Sequence, residues 1–183
     1  FKVNNLIQKS IFKSVLSLML LATSYGSYSQ CSGLQIIGFN SDNPDQIMFE
    51  AISDISAGTV YYFTDNSWDD TAEAFTALTE GERTWTAPPG GVAAGSTILW
   101  ESNLITCGAV DDNVLSLAVG GEEIYILSVV PSSTPGSITA ADICFGVVFN
   151  GSGSVNGIPG LDLGNIDNAS YNGSGDITIS ANW

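Results

Sequence analysis

The 183-residue chain has no histidine and only four basic residues. Three of them, Lys2, Lys9 and Lys13, stand in the first thirteen positions, so Arg83 is alone against 19 acids in the rest of the chain. A Ser-His-Asp or Cys-His arrangement cannot be built without an imidazole. Phosphate chemistry would lack its usual Lys and Arg clamps, and no glycine-rich nucleotide loop follows a strand and opens a helix. The shortage of positive charge also excludes nucleic acid and anionic membranes as partners, since both are bound by basic residues that displace counterions. Long apolar runs are missing as well: "VLSLMLLA" (15–22) falls far short of the roughly 20 residues that a spanning helix needs. Zinc is disfavoured by the lack of histidine and by three widely spaced cysteines.

Those first residues instead read as a secretory signal over 1–29. The three lysines form its basic n-region, residues 15–22 its apolar core, and "SYS" (27–29) a small-residue cleavage site. The mature chain from Gln30 is then expected outside the cell or on its surface, with no membrane insertion once the signal is gone. A start at Phe1 and an end at Trp183 are what a fragment of a longer product would show. The cysteines Cys31, Cys107 and Cys144 make an odd count, which in an exported chain predicts one disulfide with either one leftover thiol or a partner cysteine beyond the fragment. Cys107 with Cys144 is the expected pair, because Cys31 sits at the mature terminus, where chains are most mobile.

What the sequence has in quantity is short apolar blocks. "LQIIGF" (34–39), "IMFEAI" (47–52), "TVYYFT" (59–64), "RTWTA" (83–87), "STILWE" (96–101), "VLSLAV" (114–119), "EEIYILSV" (122–129), "ICFGVVF" (143–149) and "ITIS" (177–180) are bounded by Gly, Pro, Asn and Asp. That rhythm predicts an all-β fold, an antiparallel β-sandwich with little helix, in one domain over 30–183. Only "TAEAFTAL" (71–78) could hold a helical turn. Gly58 and Gly95 each precede a β-branched strand start, where a positive φ is often required.

Candidate chemistry concentrates in "FTDNSWDD" (63–70). Asp65, Asn66, Asp69 and Asp70 offer the hard oxygen ligands that calcium prefers, while Asp and Asn are equally the default residues of turns. "NSDNPD" (40–45), "VDDN" (110–113) and "IDNAS" (166–170) offer the same two readings. Trp68 is the tryptophan best placed for an exposed sugar-stacking ring, against the alternative that it caps the end of the core. "EGE" (80–82), Glu101 and "EE" (122–123) could supply a glycosidase's carboxyl pair, but in so acidic a chain they read better as a solvated face. No catalytic residue is assigned.

The stretches "LQIIGFNSDNPDQIMFEAISDISAGTVYYFTDNSWDD", "GERTWTAPPGGVAAGST", "GEEIYIL" and "IDNASYNG" with a terminal "ANW" resemble a module of secreted bacterial surface proteins. The chain is also distantly similar to the lamin-tail β-sandwich. The resemblance covers about residues 33–183 and departs from the module's usual pattern in the three cysteines and in "EEIYIL". It implies a non-catalytic extracellular module for attachment or spacing, with other modules of the same surface protein as partners. The alternative is a carbohydrate-binding module, calcium-dependent or not, whose partner is a polysaccharide.

Overall fold

The computed structural model of the chain describes residues 31, 33–41, 44–101, 104–111, 113, 115–117, 122–149 and 153–163, with the backbone of strands 168–171 and 177–179. The expected signal (1–29), "ITIS" at its last residue, and Trp183 lie outside them.

In chain order the strands are β1 (Leu34–Asn40), β2 (Gln46–Ala51), β3 (Val60–Thr64), β4 (Trp68–Asp69), β5 (Ala74–Phe75), β6 (Glu82–Thr86), β7 (Thr97–Glu101), β8 (Leu104–Ile105) and β9 (Ala109–Val110), followed by β10 (Glu122–Leu127), β11 (Ile143–Phe149), β12 (Gly160–Asp162), β13 (Asn168–Tyr171) and β14 (Ile177–Ile179). Two six-stranded sheets form, ordered β14-β13-β1-β2-β7-β8 and β12-β11-β10-β3-β6-β9, and β4 pairs with β5 as a separate hairpin. All pairings are antiparallel except β11 with β12, which is parallel. Helix is confined, among the described residues, to a single 3-10 turn at Ala140–Asp142. The all-β expectation holds.

The sheets face each other through aromatic rings. Phe39 of the first sheet stacks on Phe149 of the second at 4.2 Å. Phe49 meets Phe63 and the edge of Trp85, and Trp100 meets Phe63 edge-on at 5.4 Å. Offset and edge-to-face contacts of this kind add about 0.5–1.5 kcal/mol each beyond the area they bury. β1, β2 and β6 alternate buried with half-buried residues, as strands with one solvated face do. β10 and β11 are buried at every position. The reason is a second apolar cluster on the outer face of the second sheet. Tyr125, Leu127 and Val148 point there and are covered by Trp68 and Phe75 of the hairpin and by Ile138 and Ile158 of the loops.

Gly58 and Gly95 adopt φ values of 73° and 79° in turns ahead of β3 and β7, as expected. "TAEAFTAL" makes the hairpin turn and β5 rather than a helical turn. "VLSLAV" is not a strand over its described residues 115–117. The Leu117 amide donates to the Asp45 carboxylate at 2.9 Å, which seats the Leu117 side chain in the core without a ladder partner.

The disulfide joins Cys31 to Cys144, not Cys107 to Cys144, with a Cα separation of 4.4 Å. Cys31 is held in place rather than loose: its N–H donates to the Ala141 carbonyl at 2.9 Å, directly ahead of β11. Cys107 lies at the other side of the sandwich, where its carbonyl accepts the Trp85 indole N–H at 2.9 Å, and it keeps a free, half-buried thiol. One bond and one leftover thiol therefore form as the odd count implied, with the partners exchanged. A persistent disulfide belongs to an oxidising compartment. Among the described residues no helix is long and apolar enough to cross a membrane.

Candidate functional site: an acidic pocket beside the β3 exit

"FTDNSWDD" leaves β3 and enters the hairpin, and its polar residues part company there. Asn66 is buried and spent on its own surroundings. Its Nδ2 donates to Thr64 Oγ1 at 2.6 Å and to the Gly81 carbonyl, and its Oδ1 accepts the amides of Thr79 and Glu80, both at 3.1 Å. Thr64 Oγ1 donates to the same Gly81 carbonyl at 2.8 Å. Asn66 thus fastens the 79–81 turn against the end of β3. Asp69 Oδ1 accepts the amides of Thr71 and Ala72, closing the hairpin turn, and Asp70 is exposed. The four expected calcium ligands are not brought together: Asn66 and Asp69 turn their oxygens to backbone amides, the commoner use of these residues in loops.

Trp68 is 1% exposed and packs edge-on against Phe75 at 5.3 Å, and Phe75 in turn packs on Tyr125. It therefore caps the outer cluster of the second sheet, not the end of the sandwich core, and it shows no open ring face. Trp85 and Trp100 are buried in the main core.

Asp65 goes elsewhere. It is 2% exposed, and its Oδ1 has no hydrogen-bond partner among the described residues. Together with Glu80, Gly81, Ser116 and Glu122 it lines a pocket of about 320 Å³. Burial pushes the Asp65 carboxyl up to about 6, backbone amides at residues 65, 116 and 81 pull it partly back, and the nearby charge of Glu80 adds a small upward push.

Glu122 and Glu123, at the start of β10, were expected on a solvated face and are instead buried. Strand β10 lies between β3 and β11, so its first residues are walled by the β3 exit and the end of β11. Glu123 Oε1 accepts the Ser67 hydroxyl at 3.0 Å and the Gly153 amide. It also pushes the buried Tyr125 hydroxyl further above its ordinary range, though burial itself is the larger cause. One carboxylate oxygen from each of Glu80, Glu122 and Glu123 lies within 4.8 Å of the other two. Chemically, then, the chain gathers four carboxylates at one end of β3 and β10, two of them from the "EE" that sequence reading set aside. The signal that could have found them is the unbroken apolar run after "EE", which marks β10 as buried on both faces from its first residue.

Compared with family models, curated proteins and solved structures, the chain matches none.

Proposed function

We propose that the chain is a non-catalytic extracellular module that serves attachment or spacing within a larger surface protein. The observation that carries this reading is the burial of Trp68, Trp85 and Trp100, which leaves none of these three rings open as a platform for a sugar. Sugar binding of the stacking type needs an open ring face, and here each of these rings fills an apolar cluster instead. The disulfide and the sandwich sealed by aromatic pairs support a role that calls for endurance outside the cell. The test is affinity electrophoresis of the full chain through gels cast with soluble polysaccharides, beside protease shaving of intact cells that express it. Unretarded migration and release of its peptides by the protease are expected. Retardation by a polysaccharide would replace this reading with the carbohydrate-binding one, and protection from the protease would remove the surface location.

A further inference from the structure

Asparagine is among the chemically labile residues of a protein, and its side-chain amide is attacked where the next backbone nitrogen can reach it. Four asparagine side chains fall within the described residues, and three of them are engaged. Asn40 Nδ2 donates to the Pro44 carbonyl and to Gln46 Oε1, Asn66 Nδ2 to Thr64 Oγ1 and the Gly81 carbonyl, and Asn113 Nδ2 to Asp111 Oδ2. Each is followed by a residue with a Cβ (Ser41, Ser67 or Val114), which crowds the approach to the side chain. Asn156 differs on every count. It is exposed, Gly157 follows it, and its side-chain amide has no partner among the described residues. Its backbone N–H alone is held, by Ser154 Oγ at 3.1 Å.

The turn around Asn156 leaves the attacking group free as well. The Ile158 N–H donates to the Val155 carbonyl at 3.3 Å, which places Asn156 and Gly157 at the two central positions. Gly157 has a φ of 75°, the value that glycine supplies at the third position of a type II turn. The N–H of that position takes no part in the turn's own bond, and among the described residues nothing accepts it.

We propose that Asn156 is a self-modifying site, converting to aspartate and isoaspartate without an enzyme and with water as the only co-reactant. The Gly157 nitrogen forms a bond to Asn156 Cγ as the bond from Cγ to Nδ2 breaks. Ammonia leaves with the proton that the Gly157 nitrogen gives up, and a cyclic imide remains. Water then opens the ring. Cleavage between the nitrogen and Cγ yields aspartate, and cleavage between the nitrogen and the main-chain carbonyl carbon yields isoaspartate, whose main chain is one carbon longer. That extra atom enters a loop pinned on both sides. The Tyr125 hydroxyl donates to the Ser154 carbonyl and the Ser154 amide to the Trp68 carbonyl, both at 3.1 Å, while Val155 and the buried Ile158 pack on the outer cluster. The isoaspartyl form therefore loosens the cover of the second sheet, whereas the aspartyl form adds only a charge at an exposed position. The site is independent of the module reading, because it rests on backbone chemistry alone.

The experiment is warm incubation of the full chain over weeks. Fragmentation of its chymotryptic peptides locates each modified residue, and an isoaspartyl methyltransferase labels the isoaspartate. Asn150–Gly151 and Asn172–Gly173 share the dipeptide outside the described residues, and fragmentation reads them separately. Modification at position 156 should run at least about tenfold faster than at Asn40, Asn66 or Asn113, since only here does the attacking nitrogen belong to a residue without a Cβ. The aged protein should melt about 2–4 °C lower, the scale of one lost hydrogen bond in a domain of this size. Fresh Asn156→Asp should melt within about 2 °C of the parent, as an exposed substitution does. Asn156→Gln should hold its midpoint on ageing. A Cβ on Gly157 meets nothing within 4 Å, so Gly157→Ala should fold despite its φ and resist the modification. Modification at position 156 no faster than at the other three, an unchanged rate in Gly157→Ala, or an equal fall on ageing in Asn156→Gln would each overturn the assignment.

Discussion

Breaking the Cys31–Cys144 bond should be the most damaging single covalent change to this chain. The bond links residues 113 apart in sequence, so it closes most of the folded chain into a loop. Treated as a constraint on the unfolded ensemble, a loop of that length contributes about 5 kcal/mol, and measured losses of native disulfides fall at about 2–5 kcal/mol. Little of this is recovered from the folded side. Cys31 keeps its hydrogen bond to Ala141, and β1 keeps its pairings with β2 and β13, so the native state changes only at the two sulfurs. For a domain of this size each kcal/mol corresponds to about 2–4 °C, which sets the expected fall at roughly 10–20 °C. The assay is calorimetric unfolding of the full chain with and without a thiol reductant, beside Cys31→Ser/Cys144→Ser and Cys107→Ser. Reduction and the double variant should lower the midpoint equally, and reduction should do nothing further to the double variant. Cys107→Ser should stay within a few degrees of the parent. A parent midpoint indifferent to reductant, or a Cys107→Ser variant that reproduces the full loss, would refute the pairing and the reasoning together.

Two further outcomes follow from the loops. Glu73 is the one non-glycine residue with a positive φ, 48°, among the described residues, and it is exposed at the end of the β4–β5 turn; Glu73→Gly should stabilise by up to about 1 kcal/mol, read as a rise of about 2–4 °C in the melting midpoint, and a loss of stability would show that the turn does not carry that strain. Asp65 holds its proton in the folded chain until about pH 6, against 3.8 for an ordinary aspartate, so between those values the folded state binds more protons and stability falls as pH rises. Above pH 6 the full cost applies, on the order of 3 kcal/mol, so Asp65→Asn should lose that much less stability than the parent between about pH 4 and 7. Denaturant melts across that range check it, and parallel curves for the two proteins would count against it.

The fold was legible where a local pattern answers to a local cause. Alternation in "LQIIGF" and "IMFEAI" follows from one buried face per strand, and the glycines at 58 and 95 mark turns because a backbone of positive φ wants them. What could not be read are features set by residues distant in sequence. Cys31 is fixed by an acceptor at Ala141, and Leu117 by a carboxylate at Asp45. Asn66 offers the same oxygen to an ion or to an amide, and the choice is made by the return of Thr79 and Glu80. Glu122 and Glu123 are buried because β3, β11 and the loop at Gly153 close around them, which "EE" alone does not announce.

The charge of the chain then resolves into two populations with different physics. Asp45, Asp54, Asp69, Asp111 and Asp142 each accept a backbone amide at 2.8–3.1 Å, and each joins a loop to a neighbouring turn or strand. Their negative charge is a by-product of that fastening, because a short carboxylate is among the best acceptors for a loop amide. A surface acidic for this reason need not face a basic partner, and its mutual repulsion is screened within about 8–10 Å at ordinary salt. Asp65, Glu122 and Glu123 belong to the other population. They are buried near one another at the β3 exit and the start of β10, where screening is weak. Salt therefore acts on the first group and largely leaves the second as it is, at the place where β3, the 79–81 turn and β10 meet.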